Sequence, residues 1–175
     1  VPVGDELRLD PAAITSDLAA FEEAVAAGDA AHAVAAYGGP FLDAFFLRDA
    51  PEFERWAEVE RARLHAAFGA MLEVLATRAE QSGDASGAVV HWCGVAAEFQ
   101  GNSRYTLGLM RALAAAGDRA GAIRQAEVHA IVLREEFGAE PDAEVLSLAE
   151  RLRASPERAA PPAVPVEQVA TAEGL

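Results

Sequence analysis

The residues with the most chemical potential in this chain are few and scattered. His91-Trp92-Cys93 places an imidazole and the one thiol side by side, the types a metal site or a redox centre would use. A metal needs three or four converging ligands, and His32, His65 and His129 stand at no ligand spacing to them. With Val89, Val90 and Val95 around it, Cys93 reads instead as a buried structural thiol. Glu58 with Glu60 and Glu135 with Glu136 offer paired carboxylates for acid–base work. Helical surfaces are full of such pairs, and no nucleophile elbow accompanies them. Gly38-Gly39-Pro40 lacks the lysine and hydroxyl residue of a phosphate-binding loop. Catalytic, cofactor-binding and metal residues are therefore none, and an enzyme is not expected.

The elements that carry these residues are announced by a phrase used three times. Gly28-Asp29 with Ala33, Gly83-Asp84 with Ala88, and Gly117-Asp118 with Ala122 each place glycine, aspartate and, five residues after the glycine, alanine. Glycine in the left-handed conformation ends one helix, aspartate caps the next, and alanine lets the two pack closely. The second and third copies are 34 residues apart, the period of tetratricopeptide-type helix pairs. Tyr37, Trp92 and Ala126 stand nine residues after each glycine, where such pairs usually carry a large aromatic residue.

Helical spacing predicts a first helix that begins after Thr15, Ser16 or Asp17 and ends at Gly28, then a second that runs to Tyr37. The loop Phe41-Leu42-Asp43-Ala44-Phe45-Phe46-Leu47 is greasy for a connection, so its side chains are expected to fold back onto the helices. Pro51 opens a long segment that runs to about Gln81, either one helix or two with a weak point at Gly69. Phe53, Trp56, Leu64, Phe68, Met71 and Leu75 mark one face of it, and Glu58–Arg61 and Glu60–Arg63 can pair along another. Further helices are expected over 85–99, 103–116, 119–137 and 142–153. Trp56 and the Phe41–Phe46 cluster admit two readings, core packing or an anchor patch for a partner.

Composition limits the partners. The 175 residues are 52% apolar, enough for one core, and carry a formal net charge of −14. All 14 basic residues are arginine, with acidic residues among nearly all of them, so the chain offers no basic face for DNA or RNA. No apolar run is long enough for a bilayer and no signal peptide is evident. With a single cysteine, this suggests a cytoplasmic protein. The chain opens at Val1 rather than methionine, as a piece of something longer would.

The motifs between the repeats carry a resemblance. In order stand Tyr37-Gly38-Gly39-Pro40-Phe41-Leu42, Phe53-Glu54-Arg55-Trp56, Glu60-Arg61-Ala62-Arg63-Leu64, Leu109-Met110-Arg111-Ala112-Leu113, Gly117-Asp118-Arg119-Ala120-Gly121-Ala122 and Leu133-Arg134-Glu135-Glu136-Phe137-Gly138-Ala139-Glu140-Pro141. This succession resembles the bacterial transcriptional activator domain of the Streptomyces antibiotic regulatory protein family, over about residues 14–153. Two departures, Ala126 for the aromatic and Gln100-Gly101 where an acidic residue and proline commonly end a pair, leave open how the last helix pair packs.

The resemblance implies an all-α, tetratricopeptide-like helical repeat domain of about six or seven helices over 14–154, with a short N-terminal β remnant. Residues 1–13 would then be the wing of an upstream winged-helix DNA-binding domain of the OmpR type, absent from this chain. The Pro/Ala-rich 155–175 would be a linker or disordered tail. The implied function is protein interaction and oligomerisation in a bacterial transcription regulator. Its partners would be a second copy, as a dimer, and the transcription machinery, with DNA reached only through the upstream domain. No membrane, small-molecule substrate or cofactor is implied. The rival reading is a tetratricopeptide adaptor or regulatory module in a signalling protein.

Overall fold

A computed structural model describes residues 2–3, 6–7 and 15–154. The proline-rich 155–175 and most of 1–13 lie outside the described residues, so the linker and wing expectations are not addressed by it. Strands β1 (Pro2–Val3) and β2 (Glu6–Leu7) pair antiparallel, Pro2 opposite Leu7 and Val3 opposite Glu6. The described residues then form seven helices: α1 (Asp17–Ala27), α2 (Ala30–Ala36), α3 (Pro51–Ser82), α4 (Ala85–Glu98), α5 (Ser103–Ala115), α6 (Arg119–Glu136) and α7 (Ala143–Ala154). Each packs on its neighbours in sequence, and α7 also touches α5.

The repeated phrase builds three of the turns. Gly28, Gly83 and Gly117 have φ of 68°, 77° and 89°, a conformation glycine alone enters without steric cost. The following N–H of Asp29, Asp84 and Asp118 donates back to the carbonyl of Ala24, Ala79 and Leu113, each at 2.9 Å, closing the preceding helix. The same aspartates then cap the next helix, accepting from the N–H of His32 (3.2 Å), Gly87 (2.8 Å) and Gly121 (2.7 Å). The His32 N–H, together with its ring Nδ1 at 2.6 Å from the other carboxylate oxygen, holds the Asp29 carboxyl below its ordinary value. Ala33, Ala88 and Ala122 are fully or almost fully buried, as close helix packing requires.

Helix α3 is continuous through Gly69, so of the two expected forms the single long helix is the one present. A Cβ at Gly69 would lie 2.5 Å from the Phe99 ring, so glycine there admits the end of α4. The first half of α3 closes a cluster of Phe21, Ala24, Ala33 and Leu64 with α1 and α2. Its second half contributes Leu72, Ala76 and Ala79 to a larger cluster with Ala88, Trp92, Val95, Leu109 and Ala112. A third cluster joins α5, α6 and α7 through Leu107, Met110, Ala122, Ala126, Val145 and Ala149. Ala126, where the resemblance would place an aromatic residue, thus lies in the cluster that α5, α6 and α7 share.

Candidate interaction surface

The connection from α2 to α3 is the least repetitive part of the chain and the most constrained. Leu42, Ala44 and Asp49 adopt φ of 51°, 56° and 60°, and they are the positive-φ residues other than glycine among those described. Each costs roughly 1 kcal/mol or more, so the loop needs outside support. Arg61 on α3 supplies it: its guanidinium donates to the carbonyls of Phe41 (2.7 Å) and Leu42 (2.9 Å). The Leu47 N–H donates to the Glu54 carboxylate at 2.9 Å and ties the far end of the loop to the same helix. The sequence spacing allows Arg61 to pair with Glu58; the loop carbonyls hold it instead, that of Leu42 accepting also from the Phe45 N–H at 3.1 Å. Glu60 pairs with Arg63 as the spacing suggested, at 2.8 Å, and Arg63 also reaches Glu22 at 2.5 Å.

So held, the loop and α3 present a row of rings. Phe45, Phe53, Trp56 and Phe41 follow one another at centroid separations of 5.9, 5.6 and 5.7 Å, tilted or edge to face. Such contacts favour the observed orientations over alternatives by about 1 kcal/mol each. Phe41 and Leu42 fold partly inward, but Phe45, Phe46, Leu47, Trp56 and Val59 are exposed, Phe46 at 73%. The expectation that the greasy loop folds back onto the helices is met only in part: Phe45 packs on Phe53 of α3 while exposed, and Phe46 stands in water. The core reading fails for Trp56, which lies on the flank of α3 away from buried Ala57 and Leu64. At its inner end the row meets a cavity of about 470 Å³ lined by Leu18, Phe21, Tyr37, Phe41, Leu42 and Leu64, with Ser16 and Asp17 as its other polar side chains. Tyr37 stacks on Phe68 at 4.1 Å, and burial, with the charge of Glu98 second, raises its phenol above the ordinary value.

The other chemically suggestive residues are dispersed. Trp92 is buried and donates its indole N–H to Glu80 at 2.7 Å. Cys93 is exposed, correcting the expectation of a buried thiol. The inward face of α4 runs Ala88, Trp92, Val95, and one residue past Trp92 turns Cys93 about 100° away from it. Among the described residues no three His, Cys, Asp or Glu side chains converge as metal ligands would. Glu58, Glu135 and Glu136 are exposed. His129 is the polar feature that spacing did not reveal. It is buried between α6 and α5, with Ser103 Oγ 3.0 Å from Nε2 and Thr106 Oγ1 3.0 Å from Nδ1. Burial lowers its pKa, opposed by the charge of Asp142. The i, i+3 pair of hydroxyl residues on α5 was the available signal. No described helix is long and apolar enough to cross a membrane.

Comparison with known proteins gives one match. The family model described as bacterial transcriptional activator domain matches residues 8–153. Comparisons with curated proteins and with solved structures found no match.

Proposed function

The chain belongs to the bacterial transcriptional activator domain family, and from that premise we propose that it is the protein-interaction and oligomerisation domain of a regulator of the Streptomyces antibiotic regulatory type. That family is a regulatory one and not an enzyme family. In this reading the three Gly-Asp hairpins are tetratricopeptide-like pairs, residues 1–13 end the wing of an upstream OmpR-type DNA-binding domain, and 155–175 lead onward as a linker. DNA is reached through the upstream domain, and the helical domain holds a second regulator copy or the transcription machinery. The protein works in the cytoplasm.

The observation that carries this reading is the constrained aromatic row. A loop with three left-handed residues, held by Arg61 and Glu54, keeps rings in water that a protein concerned only with stability would bury. Aromatic side chains set in advance against solvent are the usual anchors of protein interfaces. The net charge of −14 supports leaving DNA to another domain.

The test uses a promoter reporter and the intact regulator. Removing the helical domain is expected to abolish activation while the remaining DNA-binding domain still shifts its promoter. The 175-residue chain alone is expected to give no sequence-specific shift at physiological salt. Full activation without the helical domain, or specific retention of promoter DNA by this chain, would overturn the reading.

A further inference from the structure

We infer that the aromatic row and its cavity dock a basic amphipathic segment of another protein, with a large apolar side chain in the cavity and arginine or lysine along the row. This rests on the interaction-domain reading above and names the chemistry of its partner. Three observations converge on it.

The first is shape. The ring row runs without interruption from exposed Phe45 to Phe41, which lines the cavity of about 470 Å³. That volume falls in the range of pockets that take a compact apolar group. The second is preparation. The loop carbonyls, Leu47 N–H and ring contacts are already satisfied within the chain, so docking would order little that is free.

The third is charge. Around the row stand Asp43, Asp49, Glu52, Glu54 and Glu58, with Asp17 at the cavity, against Arg48, Arg55 and Arg61, and the last is engaged by the Phe41 and Leu42 carbonyls. Opposite potentials across an interface select and steer partners. A second copy meeting this surface face to face would set these carboxylates against their own copies, between chains of −14 each. An anionic membrane is disfavoured for the same reason. The row therefore fits a cationic protein segment better than either.

The experiment titrates the full chain into a fluorescein-labelled helical peptide of leucine and lysine with one phenylalanine, read by anisotropy. A twin peptide with glutamate for lysine, and anionic lipid vesicles, are run beside it. The lysine peptide is expected to bind, and more weakly as salt rises, since exposed charges are screened. The double variant Phe46→Ser/Trp56→Ser should weaken it by about tenfold or more, the scale of lost anchors. Val90→Ser, at an exposed site on α4, should leave it unchanged.

Equal binding of the glutamate twin would overturn the charge argument. Equal binding by the double variant, with its melting unchanged, would place the peptide elsewhere. Vesicle binding, or a dimer of the chain that dissociates on Trp56→Ser, would give the surface to another occupant. Lost activation on removal of the domain with no peptide binding sinks this inference alone; activation that survives removal sinks the functional reading instead.

Discussion

Trp92 and Trp56 belong to the same stack of helices, yet one is 6% exposed and the other 48%. Trp92 lies inside a repeat. The Gly83-Asp84 turn sets α4 against α3, Glu80 accepts its indole N–H, and a Cβ on Gly108 would lie 2.6 Å from its ring. Trp56 lies in the interruption between repeats, where Phe41 of the α2–α3 loop and Phe53 of its own helix touch it and about half of it stays exposed among the described residues. The difference in buried surface forfeits on the order of 2 kcal/mol. The repeats spend their residues on closure, and the interruption keeps apolar surface open at a cost to stability. A surface maintained against that cost is where function is to be sought.

Truncation of Trp92 should have the largest effect. Trp92→Ala removes the centre of the middle cluster and leaves Glu80 without its donor, and is expected to lower stability by about 3–5 kcal/mol in urea unfolding. Trp56→Ala should cost a fraction of that. Similar losses at the two sites would erase the distinction between core and surface. Gly117→Val comes next. Nothing lies within 4 Å of a Cβ at Gly117, so its φ of 89° is the whole penalty, about 1–2 kcal/mol for a β-branched residue. A melting temperature equal to that of the parent would show that the turn does not demand glycine.

These two sites differ in how far sequence alone reached them. The Gly-Asp turns were legible because the conformation of a glycine and the cap of the following aspartate are settled within about five residues. Buried Ala33, Ala88 and Ala122 followed from the same local geometry. What was left open or misread depends on partners distant in sequence. At Gly69 the sequence allowed either one continuous helix or a break, and the reason for glycine there is the Phe99 ring, 30 residues away. Arg61 resembled half of a surface ion pair, yet it binds carbonyls 19 and 20 residues away. The valines near Cys93 suggested burial, but the face of α4 is decided by where α3 and α5 lie. For the aromatic loop, composition could not separate core from surface, because both require the same residues.

His129 extends the contrast into pH. Its buried ring has a hydroxyl on each nitrogen, so the neutral form is fully satisfied and the charged form is penalised. The folded pKa lies below the unfolded value, near 6.5. Stability from this site is therefore complete above that value and is lost as pH falls from it toward the folded pKa. One proton bears at most about 1.4 kcal/mol per pH unit. His129→Gln should flatten the pH dependence of urea midpoints just below 6.5 relative to the parent. The aromatic row contains no histidine, and its variants should keep the parent slope. A parent slope unchanged by His129→Gln would remove the α5–α6 contact from the account.

The smallest expected change is the most discriminating. Phe46 is 73% exposed and, unlike Phe45 and Phe53, makes no ring contact among those described. Its removal opens no cavity, so Phe46→Ser should alter the urea midpoint by no more than about 0.5 kcal/mol in either direction. A larger loss would mean that the loop depends on Phe46 for its shape, and the row would then be an imperfectly covered core. A null result on stability has the opposite meaning. It leaves a phenylalanine in water, on a loop with three left-handed residues, with no role in holding the fold. A contact made from outside the described residues would then account for it, and the loss of partner affinity without loss of stability is the signature of a partner there.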